Sequence, residues 1–217
     1  MDDVIETVSQ YIRQAFSELD IRRYAQEPAY VAALMGRLEG VAWENEDGAQ
    51  VRFRATVVND RGPNSAEHQY GADFAITLEM IGRDKTVIKK AVLGQAKKGK
   101  IEDLTKNEKS RLEKQYNKMS NYTDHLVVLE TPTIIETSPM IRVIEDQISA
   151  RFSERLALQT YLVNMFIACF HGDTRETFVS AVEDSSLARL NIFVKGLNPD
   201  LDPEPRPSLG GPRGPSF

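Results

Sequence analysis

The sequence predicts an α/β fold in which helices flank a mixed central β-sheet, with a helical C-terminal part. Three observations predict it. Apolar residues recur at helical spacing near the start of the chain, β-rich apolar runs fill its middle, and a charged helical segment precedes the last of these runs. The predicted order of elements is therefore α-α-β-β-β-α-β-α, and helices of this kind cover the faces of the sheet.

The first part of the chain predicts two helices and a strand. Over residues 3–19 the apolar side chains follow three- and four-residue spacings, which is typical of an amphipathic helix. A second helix is predicted from residue 27 or 28 to residue 38, with Pro28 at an early helical position. Alternation over residues 51–58 predicts a half-buried strand, and the turn formers of residues 59–65 predict a loop.

The middle of the chain predicts a hairpin, a helix and one more strand. Two β-rich runs, residues 72–81 and 86–96, flank a four-residue turn, and so short a turn makes the pair antiparallel. Residues 101–122 then have the pattern of a charged helix, and the apolar run 125–130 predicts a buried strand beside the hairpin.

The C-terminal third is predicted to be mainly helical. Residues 140–170 carry a long apolar face, and residues 174–182 predict another short helix. We divide the chain into N-terminal helices (1–45), a sheet core with its following helix (46–131), a helical C-terminal part that packs on the core (132–197) and a disordered Pro-rich tail (198–217).

Composition limits the class of protein. The chain has 217 residues and a net charge of −5, which argues against a general nucleic-acid coat. Its single cysteine, Cys169, excludes an intramolecular disulfide and a multi-cysteine zinc site. No apolar stretch is long enough to span a bilayer and the acidic N-terminus does not resemble a signal peptide, so we expect a cytoplasmic protein without membrane contact.

Three polar residues mark the two strands of the predicted hairpin. Asp73 lies near the start of the first strand, while Gln95 and Lys97 lie near the end of the second and project from the same face. The hairpin can therefore bring a carboxylate, an amide oxygen and a cation together at one end of the sheet. Taken singly, Asp73 is also consistent with a turn cap, and residues 95–98 with a solvated strand end.

Oxygen ligands of this type suit Mg²⁺ or Mn²⁺ rather than zinc. The backbone carbonyl of Ala96 is a natural further ligand. A divalent ion held in this way can polarise a phosphodiester and lower the pKa of a bound water, and Lys97 can stabilise the charge of the transition state. The pattern thus permits phosphodiester hydrolysis without requiring it.

At these residues the sequence resembles the PD-(D/E)xK nuclease superfamily, which has the restriction-endonuclease-like fold. Gly71-Ala72-Asp73, followed by Gln95-Ala96-Lys97, is similar to the Gln-x-Lys variant of Mrr-like enzymes and bacterial anti-phage defence nucleases. The resemblance covers residues 51–130. Two departures are Gln95, where an acid is usual, and Ala72, where proline is usual.

The resemblance implies a role for each residue. Asp73 would be the central metal ligand, Gln95 the second ligand and Lys97 the catalytic lysine, with Mg²⁺ as the cofactor and Mn²⁺ as a substitute. Glu67 resembles the additional acidic residue that some members place ahead of their Gly-Ala-Asp. Other members take this acid from the N-terminal helix, and the possible substitutes here are Glu18, Glu39 and Glu44.

Charge placement supports a nucleic-acid partner. Residues 83–118 hold twelve Lys and Arg against five Asp and Glu, a local net charge of +7 within a chain of net charge −5. Such a segment provides the cations that phosphate contacts need. The predicted nucleic-acid contacts are Lys89, Lys90, Lys98, Lys100, Lys106, Lys109, Arg111, Lys114 and Gln115.

The leading hypothesis is a Mg²⁺-dependent nuclease that cuts DNA, in the setting of microbial anti-phage defence that the resemblance implies. The long apolar face of the C-terminal part suggests a homodimer, and a toxic nuclease would need an activating or regulatory partner. Two alternatives stay open: a non-catalytic nucleic-acid-binding module of the same fold, and a protein-interaction subunit of a defence complex.

Overall fold

The computed structural model describes residues 2–24, 26–57, 66–133, 138–146 and 151–197. Within these ranges a mixed β-sheet is flanked by helices, which confirms the predicted α/β class. The helices are α1 (Asp2–Ser17), α2 (Glu27–Leu38), α3 (Ala66–Tyr70), α4 (Lys106–Met119), the single turn α5 (Leu158–Thr160), which continues as a π-helix over Tyr161–Ile167, and α6 (Glu176–Glu183).

The sheet has nine strands, eight of them in the order β1-β2-β9-β3-β4-β5-β6-β7, with β8 paired to β6. The pairs β3–β9 and β4–β5 are parallel and the others are antiparallel. The strands are β1 (Gly40–Glu44), β2 (Gln50–Thr56), β3 (Phe74–Ile81), β4 (Val87–Lys98), β5 (Leu126–Thr131), β6 (Met140–Asp146), β7 (Arg151–Phe152), β8 (Leu156–Ala157) and β9 (Ala188–Lys195).

The predicted hairpin is present as β3 and β4. Its register runs from Phe74 opposite Gly94 to Ile81 opposite Val87. In the turn, the Asp84 carboxylate accepts the Thr86 N–H at 3.0 Å, a local bond that stabilises the chain reversal. Both strands are buried over most of their length because helices cover both faces of the sheet at this point.

Alternate residues of the hairpin belong to two different cores. Phe74 and Ala96 face the core formed with α1 and α2. Ala75 and Leu93 face the second core, which α4 and α6 cover. Because side chains alternate along a strand, Gln95 and Lys97 follow Leu93 on the α4 side.

Helix α4 begins with a capping box. The Thr105 side chain accepts the Glu108 N–H, and the Glu108 carboxylate in turn accepts the Thr105 N–H. The helix buries Leu112, Tyr116 and Met119 against the sheet. Residues 101–103, which we predicted to be its first turn, form a separate 3₁₀ turn instead.

The C-terminal part contains more strand than predicted. The expectation that residues 140–170 are mainly helical is wrong for their first half, because Met140–Asp146 forms β6 and, among the described residues of this range, only Leu158–Ile167 is helical. Strand β6 pairs with β5, with Val143 opposite Val127. This pairing satisfies backbone groups on the side of β5 that the hairpin leaves open, which outweighs local helical spacing.

Besides β6, β7 and β8, two more strands were not predicted. Strand β9 alternates buried Leu190, Ile192 and Val194 with less buried residues and lies between β2 and β3. Strand β1 forms one edge of the sheet. The predicted loop over residues 59–65 and the predicted disordered tail over residues 198–217 lie outside the described residues.

The apolar face of the C-terminal part is covered within the chain. Tyr161, Leu162 and Phe166 are fully buried in the core that includes α1 and α2. The observation that suggested a homodimer is therefore explained by intramolecular packing. Across the described ranges, no helix has the length and apolar character needed to cross a membrane.

Candidate active site

The hairpin places Asp73 beside the end of β4. Asp73 directly precedes β3, and its N–H donates to the carbonyl of Gly94 at 2.8 Å. Gly94 is also the register partner of Phe74, so Asp73 and Phe74 both lie opposite Gly94, and the Asp73 carboxylate reaches the N–H of Ala96, next to Gln95. Gly94 makes the close approach possible, since a Cβ at that position would overlap the Phe74 ring. The structure therefore brings Asp73 and Gln95 together, as the hairpin argument predicts.

Gln95 is fully buried, and both ends of its amide have partners. Its Nε2 donates to the carbonyl of Gly71 at 2.5 Å, and its Oε1 accepts the Lys97 Nζ at 3.0 Å. Gly71 has a φ of +74° and lies against α4, where a Cβ would come within 2.9 Å of the Gln115 carbonyl oxygen. A glycine is needed for both reasons, which explains the Gly in the Gly-Ala-Asp sequence.

The Lys97 ammonium lies between two amide oxygens. Besides Gln95, it donates to Gln115 Oε1 on α4 at 3.1 Å. We predicted Gln115 as a nucleic-acid contact, and the structure shows a contact with Lys97 that sequence reasoning missed. The sequence did contain a signal for this contact. Gln115 directly precedes Tyr116, a residue of the buried stripe of α4, and so lies at the border of that stripe.

Ala96 contributes through its backbone. Its side chain is buried in the opposite core, while its N–H donates to Asp73 Oδ2 at 2.8 Å. The N–H and C=O of one strand residue point to the same side of the strand, so the Ala96 carbonyl lies on the Asp73 side of β4. The Asp73 carboxylate, the Ala96 carbonyl and the Gln95 amide thus lie at the same end of β4. Oxygen ligands of these types suit Mg²⁺.

The candidates for an additional acidic metal ligand lie in different parts of the structure. Glu67 lies in α3, which ends directly before Gly71. Glu18 pairs with Arg37 at 2.9 Å, and α1 and α2 pack on the core that includes Phe74 and Ala96. A role for Glu18 as a metal ligand stays a prediction.

Glu39 and Glu44 are placed away from the site. Glu39 follows α2, and Glu44 ends β1 on the edge of the sheet, with three strands between β1 and β4. In the part of the chain that the structure describes, no group of three or more His, Cys, Asp or Glu residues is arranged to hold a metal ion. A metal bound here would depend on Asp73 and on neutral oxygens, with Glu67 as the candidate for a further acidic ligand.

Several basic residues of α4 lie near this end of β4. Arg111 and Lys118 lie four residues before and three residues after Gln115, so they share the flank of the helix that borders Lys97. Lys114 lies next to this flank. Of the other predicted contacts, Lys98 and Lys106 are exposed and Lys100 is half-buried. Lys109 lies on the opposite flank of α4, where its Nζ donates to the Glu102 carbonyl.

Lys90 does not belong to the basic surface. It is 1% exposed, donates to the carbonyl of His171 at 2.7 Å and lies 4.6 Å from the centre of the Phe166 ring. Burial lowers its pKa to about 8. The prediction that Lys90 contacts phosphate is wrong, because its ammonium is enclosed in the core. Lys89, the neighbouring candidate, pairs with Glu79 at 3.5 Å.

Comparisons with protein-family models, with curated proteins and with solved structures gave no match to this chain. The class of protein rests on its own residues: an α/β domain with a carboxylate, two amides and a lysine at one end of a central hairpin.

Proposed function

We propose that this chain is a metal-dependent nuclease that hydrolyses phosphodiester bonds, with Mg²⁺ as its cofactor and DNA as its substrate. The observation that supports the proposal is the convergence of Asp73, Gln95, Ala96 and Lys97 at one end of the hairpin. The charge of residues 83–118 adds support, because several of their cations lie around that end.

Each residue has a role in this proposal. Asp73, with the Ala96 carbonyl and the Gln95 side-chain oxygen, would hold the ion, and Glu67 is the candidate for a further ligand. When bound, such an ion polarises the phosphodiester and lowers the pKa of a coordinated water. The Lys97 ammonium, held by the amide oxygens of Gln95 and Gln115, is positioned to stabilise negative charge on the phosphate.

Cleavage assays test the proposal directly. Plasmid, linear duplex, single-stranded DNA and RNA would each be incubated with the purified protein in Mg²⁺, Mn²⁺ or EDTA. We expect products from DNA with Mg²⁺, activity with Mn²⁺ as a substitute, and none with EDTA. Absence of products under every condition would contradict the proposal, and cleavage of RNA alone would change its substrate.

A non-catalytic nucleic-acid-binding module is the second candidate. One observation favours it: both ends of the Gln95 amide already have protein partners, which reduces its availability as a metal ligand. A binding module would retain DNA in a gel-shift assay, with affinity that falls steeply as salt rises, and would release no products with any divalent ion.

The resemblance also places the protein in microbial defence, and this setting is part of the proposal. A host that expresses the wild-type chain should resist phage infection better than a host that expresses an Asp73→Asn variant. Cutting both strands of a duplex is simplest with two copies of the chain. Light scattering with and without duplex DNA measures whether a dimer forms, and co-purification from phage-infected cells tests for an activating partner.

A further inference from the structure

Glu130 is a buried carboxylate near the end of β5, one strand away from Lys97. It is 1% exposed and accepts three hydrogen bonds, from Ile101 N at 2.9 Å, from Arg142 Nε at 2.8 Å and from Arg155 Nε at 2.5 Å. Burial of a polar group this deeply is costly without such hydrogen-bond partners. None of the roles assigned above to the hairpin residues uses it.

The position of Glu130 relative to β4 is fixed by the parallel ladder. Lys97 lies directly opposite Glu130, and the next backbone bond joins Gly99 N to the carbonyl of Thr131 at 3.0 Å. The Ile101 N–H then binds the Glu130 side chain. Strand β4 and the chain that leaves it are therefore held against β5 on both sides of the point where the ladder ends.

The same contact also determines where α4 begins. The 3₁₀ turn that starts at Ile101 leads within four residues to Thr105, the N-cap of α4. Helix α4 carries Gln115, one of the two amides that hold the Lys97 ammonium. Glu130 thus contacts the segment that connects Lys97 to its own hydrogen-bond partner.

Two arginines of the C-terminal part complete this arrangement. Arg142 lies on β6 and Arg155 lies just before β8, both outside the segment that resembles the nuclease superfamily. Arg142 also pairs with Glu102, in the 3₁₀ turn, at 2.7 Å. The C-terminal part is thereby connected to the segment that follows β4 through the buried Glu130 and the exposed Glu102.

We infer that Glu130, held by Arg142 and Arg155, is a positioning residue for Lys97. It fixes the segment between β4 and α4 and so maintains the distance between the Lys97 ammonium and Gln115. The catalytic consequence rests on the proposed nuclease function, whereas the structural consequence does not. The C-terminal part is then a required component of the site and not an accessory to it.

The test uses Glu130→Gln in the full chain with three measurements. We expect faster amide hydrogen exchange in residues 99–104, faster reductive methylation of Lys97 as measured by peptide mass spectrometry, and a kcat lowered by about tenfold or more with KM for DNA nearly unchanged. A change confined to kcat is expected because the basic surface that binds DNA is left intact.

Glu102→Gln is the matched control. Glu102 shares Arg142 with Glu130, but its side chain is 60% exposed and its carboxylate does not hold the Ile101 N–H. It should match the wild type in kcat and in Lys97 methylation, and any rise in the exchange of residues 99–104 should be smaller than in Glu130→Gln. Arg155→Gln provides a milder change for use if Glu130→Gln fails to fold, because it retains the Ile101 and Arg142 bonds. It should alter the same measurements in the same direction by smaller factors.

The outcomes separate the two proposals. If the wild type cleaves DNA and the folded variants match it in exchange, methylation and kcat, the inference is overturned. It is equally overturned if exchange rises uniformly across the chain, including α1, because Glu130 would then act on general stability. If the wild type cleaves nothing, the nuclease proposal fails, and exchange and Lys97 methylation still decide whether Glu130 positions the lysine.

Discussion

At the scale of single residues, the central feature is an ammonium group held by neutral acceptors. The amide oxygens of Gln95 and Gln115 lie 3.0 Å and 3.1 Å from Lys97 Nζ. These two hydrogen bonds fix the position of the ammonium at the end of the hairpin that carries Asp73. A cation fixed in this way can stabilise the negative charge of a phosphoryl transition state.

Asp73→Asn and Lys97→Met should each remove Mg²⁺-dependent cleavage and leave the fold intact. Asparagine retains an oxygen that can accept the Ala96 N–H but lacks the negative charge that a metal ion needs. Methionine fills the volume of the lysine stem without its ammonium. We expect kcat to fall by about 100-fold or more in both variants, measured on duplex DNA beside thermal unfolding.

Arg13→Gln, at a position on α1 that pairs with Glu6, is the control and should retain full activity. Cleavage at the wild-type rate by both Asp73→Asn and Lys97→Met, purified free of host nuclease, would rule out the assignment.

At the scale of elements, the hairpin was predictable and α4 was predictable only in part. The turn formers of residues 82–85 and the β-rich runs on either side lead directly to β3 and β4, and their pairing brings Asp73 and Gln95 together. The contact between Lys97 and Gln115 was not predictable, because it depends on how α4 packs across the strands. The burial of Lys90 was missed for the same reason, since the π-helix that covers it is distant in sequence.

Helix α4 should bind nucleic acid with one flank only. Arg111→Gln combined with Lys114→Gln removes two charges on the side of Gln115 and Lys97, whereas Lys106→Gln combined with Lys109→Gln removes two charges elsewhere on the same helix. Glutamine preserves helix propensity in both variants.

For the first variant, the slope of log K against log salt in DNA binding should decrease by about 2, the loss of roughly two phosphate contacts. The second variant should retain the wild-type slope. Equal decreases in the two variants would show that the charge of α4 acts without regard to its orientation.

At the scale of the whole molecule, the C-terminal part of the chain supplies several strands of the sheet. Strand β9, from the last third of the chain, lies between β2 and β3, and β6 pairs with β5, which is itself the partner of β4. The alternation of Leu190, Ile192 and Val194 was a readable strand signal. Its place between β2 and β3 was not readable, because a local pattern does not specify which distant strands a segment joins.

A buried histidine, His171, lies where the C-terminal part packs against β4, and it should make the molecule less stable in acid. His171 lies beside Lys90 and His125, and its Nδ1 contacts the Tyr161 hydroxyl at 2.9 Å. Burial, together with His125 and Lys90, lowers the pKa of His171 to about 3. Between about pH 6.5 and pH 3, His171 is therefore protonated in the unfolded state but not in the folded state.

Because of this difference, the free energy of unfolding should decrease as pH falls from about 6.5 towards 3, by at most about 1.4 kcal/mol per pH unit from His171 alone. Asp173 acts in a separate window. Burial alone would raise its pKa, but hydrogen bonds from Arg175 and Thr123 lower it to about 2, so the stability it contributes is lost only below about pH 4.

His171→Gln isolates the first contribution, since glutamine does not titrate. Urea unfolding at pH 7, 6, 5 and 4 should show a variant that is less stable than the wild type at pH 7 and loses less stability on acidification, so that the difference between the two proteins narrows towards pH 4. Parallel pH profiles would mean that the acid response arises elsewhere, and His171 would then have a packing role without a proton-linked one.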